Sequence, residues 1–182
     1  MQHWTDLDLD GGEFRDEDLS GLRTERCVFT ECDFSGANLA ESVHLGSAFR
    51  NCRFVRTTLW HSTFRNCSLL GSTFEDCRLR PVVVDEVDFS LAVLAGADLR
   101  GVDLTGCRLR ETSLVGADLR KAVLRDADLS GARTQGLKLE EADLRGALID
   151  PTLWTIAACR GTQIDVGQAL AFAAAHGLNV NG

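Results

Sequence analysis

A period of five runs through this chain without a slip from Leu9 to Ile149. Of the 29 positions in that span whose numbers end in 4 or 9, 24 are Leu or Phe. Val84 and Ile149 are also apolar, which leaves Thr24, His44 and Thr134 as exceptions. Two residues before each large one the chain is small. From Cys27 to Ala147, 24 of 25 such positions hold Ala, Cys, Ser, Thr or Val, and only Leu137 is larger. Two residues after the large one lies the favoured place of glycine, with 13 of the 17 glycines there.

Such a period suits neither regular element. On an α-helix successive large residues would drift by ~140° and smear around the barrel. On a continuous strand an odd step puts them on opposite faces. Each unit must therefore carry its own corner, which keeps every large residue pointing inward, and glycine two residues on supplies the backbone freedom for it. Five-residue sides wound into stacked coils make a solenoid with one continuous apolar column.

The units Ala97-Asp98-Leu99, Ala117-Asp118-Leu119, Ala127-Asp128-Leu129 and Ala142-Asp143-Leu144 resemble the A(D/N)LXX consensus of the pentapeptide-repeat family. The resemblance covers roughly residues 4 to 164 and implies an all-β solenoid, a right-handed quadrilateral β-helix. Sorting the large residues at intervals of twenty supports four sides independently. One column holds Phe14, Phe34, Phe54 and Phe74; another holds Leu19, Leu39, Leu59, Leu79, Leu99, Leu119 and Leu139. We take Phe14, Phe34, Phe54, Phe74, Leu99 and Leu119 as core, with the rings stacked one coil apart at ~4.8 Å. Thr24 and His44 fall in one column a coil apart, and that corner is expected to bulge outward. Pro81 cannot donate to an inter-coil ladder, so a local bend or break in stacking, or simply a rigid turn, is expected beside it.

The organisation read from the sequence is a β-helix over 1–164 and a C-terminal helix and tail over 165–182. Asp165 with Gln168 reads as a capping box and Gly177 as the residue that ends a helix over 166–176. That helix would cover the open edge of the last coil. It presents Val166, Ala169, Leu170 and Ala173 at helical spacing, with Phe172, Ala174 and Ala175 apolar on other sides. One apolar stripe suffices for capping, so the surplus predicts a homodimer through the C-terminal ends, with Val166, Ala169, Leu170, Phe172 and Ala173 at its interface.

Chemistry is sparse. Six of the seven cysteines occupy the small inward position, where a free thiol serves as a small hydrophobe. Cys32 and Cys52 would sit within disulfide reach, but filler explains them. No metal-ligand spacing, nucleophile elbow or phosphate loop is present, and no cofactor is implied. Paired carboxylates such as Glu75-Asp76 and Glu140-Glu141 raise a glycosidase-like alternative, yet they lie on outward positions without a converging cleft. The expectation is a protein that is not an enzyme. No apolar run approaches a membrane span and no leader pattern opens the chain, so a cytoplasmic location is expected and no membrane partner.

Charge carries the functional clue. The chain has 27 acids against 19 bases, a net charge of -8, which speaks against direct nucleic-acid binding. The side around Leu9, Phe29 and Phe49 is the most acidic. It holds Asp8, Asp10, Glu31, Asp88, Glu111, Asp128 and Asp150 against Arg50, Arg108 and Arg110. The stretches Glu25–Gly36, Arg56–Phe64 and Ala171–Leu178 resemble a branch of the family described as mimicking duplex DNA. What that resemblance implies is binding and inhibition of DNA gyrase and protection of it from fluoroquinolones; the charge sorting makes the seven carboxylates the expected contact face. The competing expectation is an acidic repeat scaffold for a partner other than a topoisomerase.

Overall fold

The computed structural model describes residues 2–180; residues 1, 181 and 182, the extremes of the two expected segments, lie outside the described residues. The chain is a β-helix whose strands pair parallel and in register at steps of twenty. His3–Thr5, Arg23–Glu25, Val43–Leu45, Thr63–Arg65 and Val83–Asp85 form one sheet. Asp8–Asp10, Val28–Thr30 and Ala48–Arg50 form a second, and Arg53–Val55 pairs with Thr73–Glu75. Later coils continue the twenty-residue step through single bridging residues, as in Asp103, Val123, Asp143 and Gln163. From Trp4 to Ile164 one column climbs eight coil steps, roughly 38 Å at ~4.8 Å each.

Each corner is made by the spacing of large, free and small residues. At Phe34–Ala37 the Ala37 N–H donates to the Phe34 carbonyl at 3.0 Å, and Gly36 lies between them at φ 74°. A positive φ at the third residue is the requirement of a type II turn. A Cβ at Gly36 would also collide with the Asp16 carboxylate of the coil below. Asp16 itself holds φ 57° and Asn51 φ 53°, so polar residues take the same left-handed place elsewhere.

Inside, Phe14, Phe34, Phe54 and Phe74 stack with centroids 4.8, 5.1 and 4.8 Å apart and planes within 10°. Phe34, Phe54, Phe74, Leu99 and Leu119 are buried, whereas Phe14 is only half-buried because few residues lie beyond it at the N-terminal end. The small positions have a second task. Thr57 Oγ1 donates to the Phe34 carbonyl at 2.8 Å, Ser72 Oγ to that of Phe49 at 2.9 Å, and Cys52 Sγ to that of Phe29 at 3.4 Å. All seven cysteines are free, Cys32 and Cys52 included. Burial pushes the Cys52 thiol up to about 12 and those of Cys67 and Cys107 to about 11, so they stay protonated.

The outward bulge expected at Thr24 and His44 does not occur; both are fully buried. Their polarity is satisfied inside. Thr24 Oγ1 lies 2.8 Å from His44 Nδ1 and 3.0 Å from Ser47 Oγ, and Ser42 Oγ lies 2.9 Å from His44 Nε2. The imidazole stacks on Phe64 at 4.6 Å, in the place of a ring. Hydroxyls at small positions thus accommodate a polar residue at a large one. Burial lowers the His44 pKa from 6.5 to about 3. The unfolded chain therefore takes up a proton below pH 6.5 that the folded chain refuses. Stability should be complete above that pH and fall as pH drops, by up to about tenfold in the folding equilibrium per unit. His44→Leu is expected to flatten this acid slope between pH 6.5 and 4 in thermal melts, and an unchanged slope would assign it to other groups.

The remaining lattice exceptions compensate one another: the undersized Thr134 and the oversized Leu137, three residues apart, are both buried. At Pro81 the ladder does break. Thr73 and Ser68 still bridge Val93 and Asp88, but Arg78 and Val83 do not bridge Asp98 and Asp103. The His61 N–H is drawn to the Pro81 carbonyl at 2.6 Å, one residue beyond the register kept by Glu41 and Trp60.

The C-terminal end holds two helices. The short α1, Leu153–Ile156, was not signalled by the repeat; it buries Leu153 and Trp154. Helix α2, Val166–Ala175, begins with the capping box of Asp165 and Gln168 and is followed by Gly177 at φ 74°. Its docked side differs from the stripe expected. Gln168 is buried and gives its Nε2 to the carbonyls of Leu144 and Ala147 at 2.6 and 2.9 Å. Ala171 and Ala175 pack on the core, and Phe172 meets Trp154 edge to face at 5.8 Å.

Candidate functional site

The twenty-residue register places the expected carboxylates on one side of the rod, but not as an unbroken strip. Asp8, Asp88 and Asp128 share a column with Val28, Ala48, Ser68 and Arg108. Asp10 shares one with Thr30 and Arg50. Glu31 and Glu111 occupy corners at φ 53° and 55° and are exposed, as are Asp8 and Asp10. Two groups result: Asp8, Asp10 and Glu31 near the N-terminal end, and Asp88, Glu111, Asp128 and Asp150 in the later coils.

The second group is more constrained. Asp88 Oδ1 accepts from the Ser90 N–H at 2.9 Å and Asp128 Oδ1 from that of Ser130 at 3.0 Å, fixing both side chains against the wall. Arg108 stands 3.9 Å from Asp88 and Arg110 3.2 Å from Asp128. Partial burial raises the Asp128 pKa, but the Ser130 hydrogen bonds and the Arg110 and Arg108 charges outweigh it and hold it below the usual carboxylate value. Asp150 also has structural work. Its Oδ2 accepts from the Gly131 N–H at 2.8 Å, and Asp165 Oδ2 does the same for Gly146 at 3.0 Å. At those two places a carboxylate stands where a backbone carbonyl of the next coil would. The five-residue lattice gives no sign of this, although an acid nineteen residues after a corner glycine is a usable signal.

The expected interface residues of α2 lie at the surface. Val166 is 79% exposed and Leu170 47%, with Ala169 also exposed and Ala173 half-buried. Phe172 is 38% exposed despite its contact with Trp154. Among outward apolar residues of the coils, Trp60, Leu91 and Val115 are exposed, and Trp60 packs against His61 at 4.1 Å. Among the described residues no group of His, Cys, Asp and Glu is arranged to hold a metal ion, and no helix is long and apolar enough to cross a membrane.

Comparison with known proteins agrees with this architecture. Residues 57–133 match the family profile described as a pentapeptide repeat region, and residues 8–43 match pentapeptide repeats (8 copies). The chain is 68% identical over 182 residues to the pentapeptide repeat protein MfpA of Mycobacterium tuberculosis, covering 100% of both. It is 69% identical over 58 residues to MfpA of Mycolicibacterium smegmatis, covering 32% of this chain and 30% of that one. Full-length QnrB1, described as a plasmid-mediated fluoroquinolone resistance protein, has a similar fold. Its TM-score is 0.64 at 20% identity, with 97% of this chain and 100% of that one covered. With its repeat visible in the sequence, its coils in the structure and a relative this similar along its whole length, the chain belongs to the pentapeptide-repeat family.

Proposed function

We propose that this protein binds DNA gyrase as a mimic of duplex DNA, inhibits it, and so protects it from fluoroquinolones. The observation that carries the reading is a four-sided rod with carboxylates gathered on one side, in a chain so similar along its length to MfpA. A rod of roughly 38 Å matches about eleven base pairs at ~3.4 Å each. Duplex DNA of that length carries about 22 charges at one per ~1.7 Å, far above the net -8 here. The mimic therefore copies shape and a few charges, and exposed apolar groups such as Leu91 and Val115 add contact where charge is thin. Binding rather than catalysis is the mode of action, and the bacterial cytoplasm, where gyrase works, is the proposed location. The test is a supercoiling assay with purified gyrase and this protein. Inhibition that weakens with salt and with competing DNA supports the reading; no binding at any salt overturns it.

The active species in this proposal is a homodimer joined at the C-terminal ends, which doubles the rod. The exposed face of Val166, Ala169 and Leu170, left over after Gln168, Ala171 and Ala175 have docked, is its contact. Leu170→Asp is expected to yield a monomer in sedimentation at micromolar concentration while the melting temperature of the coils changes little. A dimer that persists in this variant would place the interface elsewhere.

A further inference from the structure

The side of the rod opposite the acidic face is close to charge-balanced, and several of its cations gather in the later coils. Large residues at 9, 29, 49 and at 19, 39, 59 mark sides two corners apart out of four, so these two faces look in opposite directions. Beside the Leu99 and Leu119 rungs runs a groove of about 770 Å³, whose charged lining is Arg80, Arg100, Arg120, Lys121 and Arg160 together with Glu140 and Glu141. It extends toward the last coil from the ladder break at Pro81. Asp98 and Asp118 order these cations, and with Glu140 and Glu141 counted as well the five cations keep one positive charge in excess. Asp98 takes Arg80 at 3.2 Å and Arg100 at 2.7 Å; Asp118 takes Arg120 at 2.6 Å and Arg100 at 3.8 Å. Three guanidiniums thus share two carboxylates. Lys121 pairs with Glu141 at 3.6 Å, and among the described residues Arg160 has no ion-pair partner. Glu140, also in the groove, has its Oε2 buried with no hydrogen-bond donor.

We infer that this groove is a second docking site, which takes an extended acidic segment of a partner protein. Charge complementarity selects the occupant: arginine donors pre-ordered by Asp98 and Asp118 keep free N–H groups for further carboxylates. From Arg80 to Arg160 is four coil steps, roughly 19 Å, the length of about six residues of extended chain. The protein would then be two-sided, one face for a basic surface and the other for an acidic strand.

The probe is a fluorescein-labelled hexaglutamate peptide, followed by anisotropy with the full chain at low ionic strength. The parent should bind it, and Arg100→Glu with Arg120→Glu should weaken binding at least about tenfold, the scale of one lost charged contact. Arg160→Glu breaks no ion pair, so it tests the groove without disturbing the wall; it should weaken binding measurably with an unchanged melting temperature. The charge-matched variants Arg50→Glu and Arg133→Glu, on other faces, should bind as the parent does. Three results would overturn the inference: no binding by the parent, equal losses in the charge-matched variants, or displacement of the peptide by tripolyphosphate as readily as by unlabelled hexaglutamate. None of these readouts involves gyrase, so they stand apart from the function proposed above.

Discussion

Protein carrying Asp88→Lys, Glu111→Lys and Asp128→Lys is expected to leave gyrase supercoiling uninhibited at concentrations about a hundredfold above those at which the parent acts. The three changes move the net charge from -8 to about -2 and place cations where the proposed basic surface must approach. Asp88 and Asp128 also hold the Ser90 and Ser130 amides, so a second variant separates charge from scaffold. Asp88→Asn, Glu111→Gln and Asp128→Asn together keep an acceptor at each place and should lose inhibition to a smaller degree. Circular dichroism should show both variants as folded rods. Full inhibition by the lysine variant would move the contact to the Asp8, Asp10 and Glu31 group or to another face.

The second large effect is in the core. Phe54 is fully buried and stacked between Phe34 and Phe74, with Phe49 edge-on at 5.8 Å. Phe54→Ala removes a ring from the middle of the column, and neighbouring coils cannot close the gap because their spacing is set by the backbone ladder. The cost should be about 3–5 kcal/mol. For a chain of this size that corresponds to a fall of roughly 6–20 °C in melting temperature. Phe14→Ala, at the half-buried end of the same column, should cost clearly less. Equal losses at the two positions would contradict the stacked column as the source of stability.

The five-residue lattice made most of the architecture legible before any coordinates, because a solenoid repeats one local decision many times. Large, small and corner positions around Phe34, Ala37 and Gly36 are readable one unit at a time. What escaped was set by contacts between coils. His44 looks like an error in the lattice until Thr24, Ser42 and Ser47 are brought around it, and two of those lie in other units. Asp150 reads as one more surface acid until its carboxylate is seen holding Gly131. The docked side of α2 was misjudged because the buried residue is Gln168, whose amide answers two carbonyls that a count of apolar residues does not see. The groove of arginines lies in the same columns that spell the Ala-Asp-Leu units, and its sign emerges only when the outward residues of five coils are read together.

The four-sided register has a consequence for how such a chain tolerates change in length. Inserting or deleting five residues within the coils keeps every local rule intact: each unit still offers a large residue, a small one and a corner. Yet every face downstream would turn by a quarter relative to those upstream. Asp88, Glu111 and Asp128 would then no longer lie on the side that carries Asp8 and Asp10, and the stacked phenylalanines would face other columns. Only changes of twenty residues leave both the stacks and the surface pattern aligned. Drift in length is therefore nearly free for the fold in whole coils and costly for the surface pattern in single units.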